Sequence, residues 1–217
     1  TVLEHINLKA KPGRVLVLVG RNGCGKSTLL KTLLNLSYEG EVLVDQKPLH
    51  SYTIQQRAQK IAFLPQKRNS SDISVERMVL HGRFPYLSYP RYYSKKDYEI
   101  SYKAMNMTGS RSLEKKLVNE LSGGQRQSVY LAMALAQDTE TIFMDEPTTF
   151  LDIHRQLQIM QIARTLANQG KAVVLVLHDL TLALREADRI AVFKDGKLVR
   201  EDKFMDIRQR MYGEKNV

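Results

Sequence analysis

The stretch GRNGCGKS, from Gly20 to Ser27, combines glycine, lysine and serine at a spacing that suits phosphate binding. It fits the P-loop pattern G-x-x-x-x-G-K-[ST] at every fixed position. In this pattern backbone N–H groups surround the phosphates, Lys26 reaches the β and γ phosphates, and Ser27 ligates Mg²⁺. An apolar run at 14–20 precedes the stretch, and a helix is predicted from about Lys26. The sequence therefore predicts a site for a nucleoside triphosphate, although a simple glycine-rich turn is the alternative.

Polar residues end three further apolar runs. Asp145 and Glu146 follow TIFM, and we expect Asp145 to hold Mg²⁺ or its waters while Glu146 polarises the attacking water. Gln66 follows IAFLP and is expected to touch both metal and water. His178 follows AVVLVL and is expected to donate to the γ-phosphate or position the water. Alone, each of these residues is more often structural or exposed, so their roles depend on the predicted phosphate site nearby.

The stretch NELSGGQRQSVYLAMALA, residues 119–136, places a serine and two glycines before a largely apolar predicted helix. Ser122 can cap this helix by accepting a hydrogen bond from a backbone N–H two or three residues later. Gly123 and Gly124 also allow close approach by a ligand, and the positive end of the helix dipole favours an anion there. A capped helix start and an anion site are both consistent with these residues.

The elements around these motifs predict an α/β fold. Short runs rich in Val, Ile and Leu alternate with helical patterns, as in a mostly parallel sheet covered on both faces. Ligands of such sheets lie beyond the carboxyl ends of the strands, where the polar residues above are found. Antiparallel pieces are predicted at 39–49 and at 189–199, the second with an Asp195-Gly196 turn. The predicted parallel strands are 14–20, 60–66, 141–146 and 172–179.

The strand pattern disappears between Gln66 and Ser122, where the sequence becomes mostly helical and polar. We predict an inserted α-helical subdomain at about 67–136, including the stretch 119–136, within a single domain 1–217. The α/β core would then comprise 1–66 and 137–217. An aromatic stretch, GRFPYLSYPRYY at 82–93, belongs either to the core of the subdomain or to an interface.

Composition limits the function classes. The chain has 217 residues, 43% of them apolar, and a formal net charge of +10. It is long enough for a large core, and no apolar run approaches the ~18–20 residues of a membrane helix. The positive charge is compatible with nucleic acid, anionic lipid or a phosphorylated ligand, but no block of five or six like charges marks a nucleic-acid arm. The single Cys24 excludes an intramolecular disulfide and suits a reducing compartment, and no signal peptide is recognised.

The motifs GRNGCGKST, LPQ, LSGGQ, MDEP, FLD and LHD occur in this order, and the chain resembles the nucleotide-binding subunit of ATP-binding cassette (ABC) transporters. The resemblance runs essentially from end to end, and LSGGQ together with a P-loop is highly specific. It implies an ATPase that uses ATP and Mg²⁺, with Gln66, Glu146 and His178 in catalysis and Ser27, Gln66 and Asp145 at the metal. The implied nucleotide-binding residues are Gly20, Arg21, Asn22, Gly23, Cys24, Gly25, Lys26, Ser27, Thr28, Ser122, Gly123, Gly124, Gln125 and Asp152.

The resemblance also implies partners. Two such domains sandwich two ATP molecules. Each ATP is held by the P-loop of one copy and by the signature loop, Ser122 to Gln125, of the other copy. Membrane permease subunits, a substrate-binding protein acting indirectly, a second copy of the chain and a peripheral location at the cytoplasmic face of a bacterial membrane are implied, with no nucleic acid. The stretches 81–109, 145–160 and 163–190 are similar to the branch that imports ferric siderophores, haem and cobalamin.

The sequence departs from the family pattern at three places. The family normally carries an adenine-stacking aromatic residue upstream of the first strand, and we identify none here. Ser128 stands where Arg is usual, and the basic segment 200–217 predicts no regulatory domain. The alternative is a soluble ABC ATPase acting on nucleic acid or ribosomes. Members of that class carry long coiled coils or a second cassette, and neither is present in this sequence.

Overall fold

A six-stranded sheet forms the centre of the computed structural model, which describes residues 3–35, 38–67 and 69–203. The sheet has the strand order β4-β5-β6-β1-β7-β8, and a separate antiparallel pair is formed by β2 and β3. The strands are β1 (Val15–Gly20), β2 (Leu43–Val44), β3 (Lys47–Pro48), β4 (Ile61–Leu64), β5 (Thr141–Asp145), β6 (Ala172–Val176), β7 (Arg189–Lys194) and β8 (Lys197–Lys203).

Helices cover both faces of this sheet and fill the interval between β4 and β5. The α-helices are α1 (Lys26–Asn35), α2 (Ile54–Lys60), α3 (Val75–Leu80), α4 (Lys95–Met107), α5 (Gly123–Ala136), α6 (Ile153–Asn168) and α7 (Leu180–Glu186). Short 3-10 helices occur at Leu49–Ser51, His81–Tyr86, Arg111–Leu113 and Val118–Glu120. Among the described residues, no helix is long and apolar enough to cross a bilayer.

Five strands of the sheet run parallel, and only β8 pairs antiparallel, with β7. Every residue of β1 from Val15 to Leu18 is buried, because successive side chains enter opposite cores. One core contains Val15 and Val17 with α6, and the other contains Leu16 and Leu18 with α1. The parallel arrangement brings the carboxyl ends of β1, β4, β5 and β6 to one edge, as the sequence predicted.

The helical interval has its own core, in which apolar residues of α3, α4 and α5 pack together. Helix α5 joins the two parts of the molecule, because Leu131 and Ala134 pack into the core beside the sheet while Val129 and Ala132 pack into the helical core. The orientation of the signature stretch at the start of α5 is therefore fixed by both cores.

The aromatic stretch at 82–93 lies largely outside the helical core. Tyr89 is 96% exposed and Tyr92 is 79% exposed. Arg83 of the same stretch is buried instead. It donates hydrogen bonds to Asp97 Oδ1 at 2.9 Å and to the carbonyl oxygen of Ala136 at 3.0 Å. The stretch is thus anchored by a buried ion pair while it presents tyrosines to solvent.

The predicted strands are present with small differences at their ends. Strand β4 ends at Leu64 rather than at Gln66, because the following residue is Pro65, which has no N–H to donate to the neighbouring strand. The predicted antiparallel pieces form β2–β3 and β7–β8, with both Asp195 and Gly196 at positive φ in the turn. The C-terminal segment from 204 to 217 lies outside the described residues.

Candidate nucleotide-binding site

The P-loop connects the end of β1 to the start of α1. Gly20 has a φ of 151°, and a Cβ atom there would collide with the backbone carbonyl of Phe193 on β7. Only glycine therefore lets the chain leave the sheet at this point. Helix α1 begins at Lys26, so the N–H groups of its first turn point toward the carboxyl edge of the sheet, where an anion is favoured.

Lys26 is held inside the loop. Its side chain is 4% exposed, and Nζ donates to the carbonyl oxygens of Gly20 at 2.7 Å and Arg21 at 3.0 Å. Nζ also lies 3.6 Å from the buried Sγ of Cys24. The ammonium group thus stabilises the curved loop and remains within it, where it can exchange carbonyl oxygens for phosphate oxygens.

Asp145, the last residue of β5, faces Ser27 across the site. The Ser27 hydroxyl donates to Asp145 Oδ1 at 2.6 Å, and Asp145 is 0% exposed. Burial raises the pKa of Asp145 above its ordinary value, and the Ser27 hydrogen bond only partly opposes this effect.

The second carboxylate oxygen of Asp145, Oδ2, is buried without a hydrogen-bond partner in the described part of the chain. A hydroxyl and a carboxylate with a spare oxygen are the hard oxygen donors that Mg²⁺ accepts. No group of three or more His, Cys, Asp or Glu side chains able to hold a metal is found among the described residues. These residues therefore fit a Mg²⁺ ion that takes most of its remaining ligands from phosphates and water.

Glu146 turns out of the strand toward the cavity. Its φ of 50° lies in the left-handed region, which costs a non-glycine residue about 1 kcal/mol or more and is typical of functional sites. One carboxylate oxygen accepts from Gln66 Nε2 at 2.5 Å, and the other lies 2.5 Å from His178 Nε2. Thr149 Oγ1 adds a longer hydrogen bond of 3.3 Å. The side chains that follow three different strands therefore meet at one carboxylate.

A cavity of about 320 Å³ opens in front of these groups. It brings together residues from the P-loop and residues that follow β4, β5 and β6. Arg21 and Cys24 support the loop through Lys26 instead of lining this space, while Ser122 to Gln125 and Asp152 lie outside it. The lining residues are Asn22, Gly23, Gly25, Lys26, Ser27, Thr28, Gln66, Glu146 and His178.

The signature segment is an open helix start on the helical part of the molecule. Ser122 caps α5 by accepting from the backbone N–H of Gln125 at 3.3 Å, and the Gln125 side chain accepts from the Ser122 N–H at 3.1 Å. Ser122 and Gly123 are exposed, and a Cβ atom added to Gly123 would meet nothing within 4 Å. The cap is real, and it leaves the first turn of the helix accessible.

Asp152 caps α6 by accepting from the backbone N–H of Arg155 at 2.9 Å. The Arg155 side chain crosses to α5 and packs against Gly124. Sequence reasoning missed Arg155, and also Thr149 beside Glu146. The only available signal was an arginine three residues after Asp152, and nothing in the sequence indicated that it would reach helix α5.

The model of the family described as ABC transporter matches residues 3–149. The chain belongs to the ABC transporter family. Among similar proteins, the achromobactin transport ATP-binding protein CbrD of Dickeya dadantii (strain 3937) is 41% identical over 88% of this chain and 72% of that protein. The hemin import ATP-binding protein HmuV of Gloeobacter violaceus (strain ATCC 29082 / PCC 7421) is 42% identical over 91% of this chain and 75% of that protein.

Solved structures agree with this assignment. The dimeric structure of MJ0796, a bacterial ABC transporter cassette, superimposes with a TM-score of 0.82 at 31% identity and covers 93% of this chain and 90% of its own. The chain is therefore an ATP-binding and ATP-hydrolysing subunit of an ABC transporter. The predicted fold, a P-loop core with a mostly parallel sheet and inserted helices, is confirmed.

Proposed function

We propose that this ABC ATPase powers the import of a metal chelate of the siderophore, haem or cobalamin type. The observation that carries the proposal is the identity above 40% with proteins named for achromobactin transport and hemin import. Because an ATP-binding subunit does not touch the transported molecule, the cargo class is inherited from these relatives and not from the site.

The P-loop binds the phosphates of ATP through the backbone N–H groups of Gly20 to Thr28. Lys26 leaves the carbonyl oxygens of Gly20 and Arg21 and donates to the β and γ phosphates, so its present contacts keep the ammonium group in place until the nucleotide arrives. Ser27 and Asp145 would hold Mg²⁺, and the ion would supply positive charge to offset the charge that develops on the phosphate oxygens. The spare oxygen Oδ2 of Asp145 supports this role.

Glu146 orients the water that attacks the γ-phosphate, because its carboxylate accepts a hydrogen bond from that water. Gln66 and His178 keep the Glu146 carboxylate at a fixed position, since each contacts a different carboxylate oxygen. When water and nucleotide enter, these two side chains can exchange their bonds to Glu146 for bonds to the γ-phosphate, the metal or the water. Catalysis is then mostly a matter of positioning.

Two copies of the chain together form each complete active site. The signature residues Ser122 to Gln125 lie outside the P-loop cavity of their own copy, and Ser122 and Gly123 are exposed, so the γ-phosphate they can bind belongs to a second copy. Phe150, between Glu146 and Asp152, is 101% exposed and has a φ of 61°, a costly arrangement that a second copy would compensate by covering the ring.

A permease is the membrane partner of this pair. The helical subdomain, about 67–136, transmits ATP-driven closure to it from the core that carries the P-loop. The exposed tyrosines of the stretch 82–93 suit contact with a short cytoplasmic helix of the permease. The pair is then peripheral at the cytoplasmic face of a bacterial membrane and acts indirectly with a substrate-binding protein.

Transport is tested by affinity purification from solubilised membranes, followed by uptake assays. We expect a polytopic membrane protein to co-purify, and a strain lacking the chain to lose uptake of one labelled chelate among ferric siderophores, haem and cobalamin. Loss restored by the wild type but not by Glu146→Gln supports an energy-coupling role. Recovery with ribosomes or DNA instead, or unchanged uptake of all the chelates, would contradict the proposal.

Assembly is tested by light scattering of the Glu146→Gln variant with and without Mg-ATP. Because this variant replaces the carboxylate by a carboxamide of the same shape, which cannot take up a proton from the attacking water, ATP should remain bound and the dimer should persist. The wild type, which hydrolyses ATP, should dimerise only transiently. A Glu146→Gln protein that stays monomeric at saturating Mg-ATP would rule out the two-copy site.

A further inference from the structure

Arg155 contacts the signature helix from a different part of the fold. An ideal Cβ atom on Gly124 would lie 2.5 Å from Arg155 Nη1 and 3.2 Å from Cζ. The guanidinium group therefore occupies the space that a side chain at Gly124 would need. A larger residue at position 124 must displace the far end of the Arg155 side chain, so the two side chains would compete for one space.

The same arginine is bound to the cap of its own helix. The backbone N–H of Arg155 donates to Asp152 Oδ1 at 2.9 Å, and Nε lies 3.5 Å from Asp152 Oδ2. Asp152 ends the segment that begins at Glu146. Arg155 therefore links this segment to the start of α5, although most of α5 and all of β5 lie between them in sequence. The side chain thus lies between the Asp152 carboxylate, which is 59% exposed, and Gly124.

Ser128 leaves the room that this link requires. Ser128 lies one turn after Gly124 on α5, and its hydroxyl donates to the Gly124 carbonyl at 3.3 Å. Since helical side chains point back toward the N-terminus, a long side chain at 128 would extend over Gly124, where the Arg155 guanidinium now lies. Ser128, Gly124 and Arg155 line the same cavity, whose remaining volume is only about 10 Å³.

We propose that Arg155 is a positioning residue that holds the signature helix start against the Asp152 cap, in the space that Ser128 leaves open. The proposal rests on the two-copy ATP site described above. A cation at the positive end of a helix dipole is intrinsically unfavourable, which the Asp152 carboxylate offsets. When Glu146, Phe150 and Asp152 meet a second copy, this link makes Ser122 and Gly123 move with them as one unit.

The first experiment replaces Arg155 by alanine in the full chain and measures steady-state ATP hydrolysis. We expect kcat to fall about 10-fold while ATP binding to the monomer changes less than about twofold, because misplacement of a remote binding element lowers turnover more than ground-state binding. Arg77→Ala, at an exposed arginine of α3, serves as the matched control and should match the wild type. In the Glu146→Gln background, Arg155→Ala should weaken ATP-driven dimerisation.

The second experiment places an arginine at position 128, with and without the arginine at position 155. Ser128→Arg alone should lower turnover several-fold, because two guanidinium groups would compete for the space over Gly124. Ser128→Arg combined with Arg155→Ala should return kcat to within about threefold of the wild type, since the new arginine reaches the same place from α5. Such opposite effects of Ser128→Arg in the two backgrounds would not arise if Arg155 only stabilised α6.

The outcomes separate this proposal from the assigned ATPase activity. If the wild type hydrolyses ATP and Arg155→Ala does so equally fast and dimerises equally well, the link has no role and the proposal is wrong. The same conclusion follows if Ser128→Arg lowers turnover additively in both backgrounds. If Glu146→Gln with an intact Arg155 fails to dimerise with Mg-ATP, the two-copy site is wrong, whatever the effect of Arg155→Ala. Thermal unfolding of every variant verifies that lost turnover is not lost folding.

Discussion

Two aspartates at opposite ends of the central sheet, Asp145 fully buried and Asp188 partly buried, have opposite environments. Asp188, at the amino end of β7, accepts hydrogen bonds from the Val15 N–H at 2.7 Å and from Arg14 and Arg164 at 3.0 Å each. Burial alone raises the pKa of Asp188, but these three donors outweigh it and hold the pKa below its ordinary value. At the carboxyl end, burial raises the pKa of Asp145, which has one donor and one unpartnered oxygen.

The difference separates the part of the fold that supplies stability from the part that supplies function. At the amino end every carboxylate oxygen of Asp188 has a partner within the chain, as expected of a structural ion pair. At the carboxyl end the partner of Asp145 Oδ2 must come from outside, and Glu146 is held in a strained conformation. The site therefore tolerates an unpartnered carboxylate oxygen and a strained backbone, both of which ligands can relieve. The ion pairs at the opposite end of the sheet supply stability that offsets these costs.

The largest effect is expected for Lys26→Ala at the functional end. The change removes the ammonium group that reaches the phosphates, so ATP affinity should fall by about 100-fold or more and hydrolysis should become undetectable. Folding should survive, because the same group contributes two hydrogen bonds to carbonyl oxygens and one long hydrogen bond to Cys24 Sγ, all within the loop. Fluorescent ATP binding and phosphate release measure the two effects, with the exposed Lys47→Ala as the control. Retained binding would exclude Lys26 from the phosphate site.

The next effect concerns the signature segment, which is open in the single copy. Ser122→Arg should leave ATP binding to the monomer within about twofold of the wild type and lower turnover about 100-fold, because the large cation fills the place of the incoming γ-phosphate. Ser112→Arg, at an exposed serine of the same helical region, is the control. Normal turnover of Ser122→Arg would reduce Ser122 to an ordinary helix cap.

The sequence was most informative where a local pattern determines a local structure. Alternating short apolar runs predicted the parallel strands, and the P-loop glycines and Lys26 predicted the turn into α1. The carboxyl ends of parallel strands necessarily share one edge, so Gln66, Asp145 and His178 could be expected beside the P-loop without coordinates. The cap at Ser122 followed from its position before an apolar helix.

Contacts between distant segments could not be derived in this way. The backbone of Glu146 at positive φ has no sequence signature, since a glutamate rarely adopts this conformation. The contact of Arg155 with Gly124 depends on the packing angle between α5 and α6, which no spacing encodes. Exposure of the aromatic stretch 82–93 likewise depended on which helices form the subdomain core.

A smaller effect, on stability, is expected at the amino end of the sheet. Asp188→Asn leaves Arg14 and Arg164 without their shared carboxylate, so at pH 7 the free energy of unfolding should fall by about 2–3 kcal/mol. Urea unfolding followed by circular dichroism measures the change. Activity per folded molecule should stay that of the wild type, because Asp188 lies at the far end of the strands from the cavity. Equal stability of the two proteins would show that these donors do not favour the ionised carboxylate.

The pH dependence of this difference follows from the sign of the shift. The pKa of Asp188 is lower in the folded than in the unfolded chain, so its contribution is complete above the ordinary pKa of 3.8 and is lost as the pH falls through the lowered folded value. The stability gap between the wild type and Asp188→Asn should be constant from pH 7 to about 5 and should narrow below 3.8. A gap that widens in acid would contradict the assigned partners.

The smallest change in stability, with the opposite sign, is expected for Asp145→Asn. The pKa of Asp145 is higher in the folded chain, so the ionised carboxylate lowers stability above its ordinary pKa, and a neutral isostere should raise the free energy of unfolding at pH 7 by about 1 kcal/mol. Hydrolysis should nevertheless be lost. Mg-ATP should stabilise the wild type against urea far more than Asp145→Asn, which reverses their order. If Asp145→Asn is less stable without ligand, the carboxylate is not the unfavourable charge that its burial indicates, and Asp145 and Asp188 no longer differ in kind.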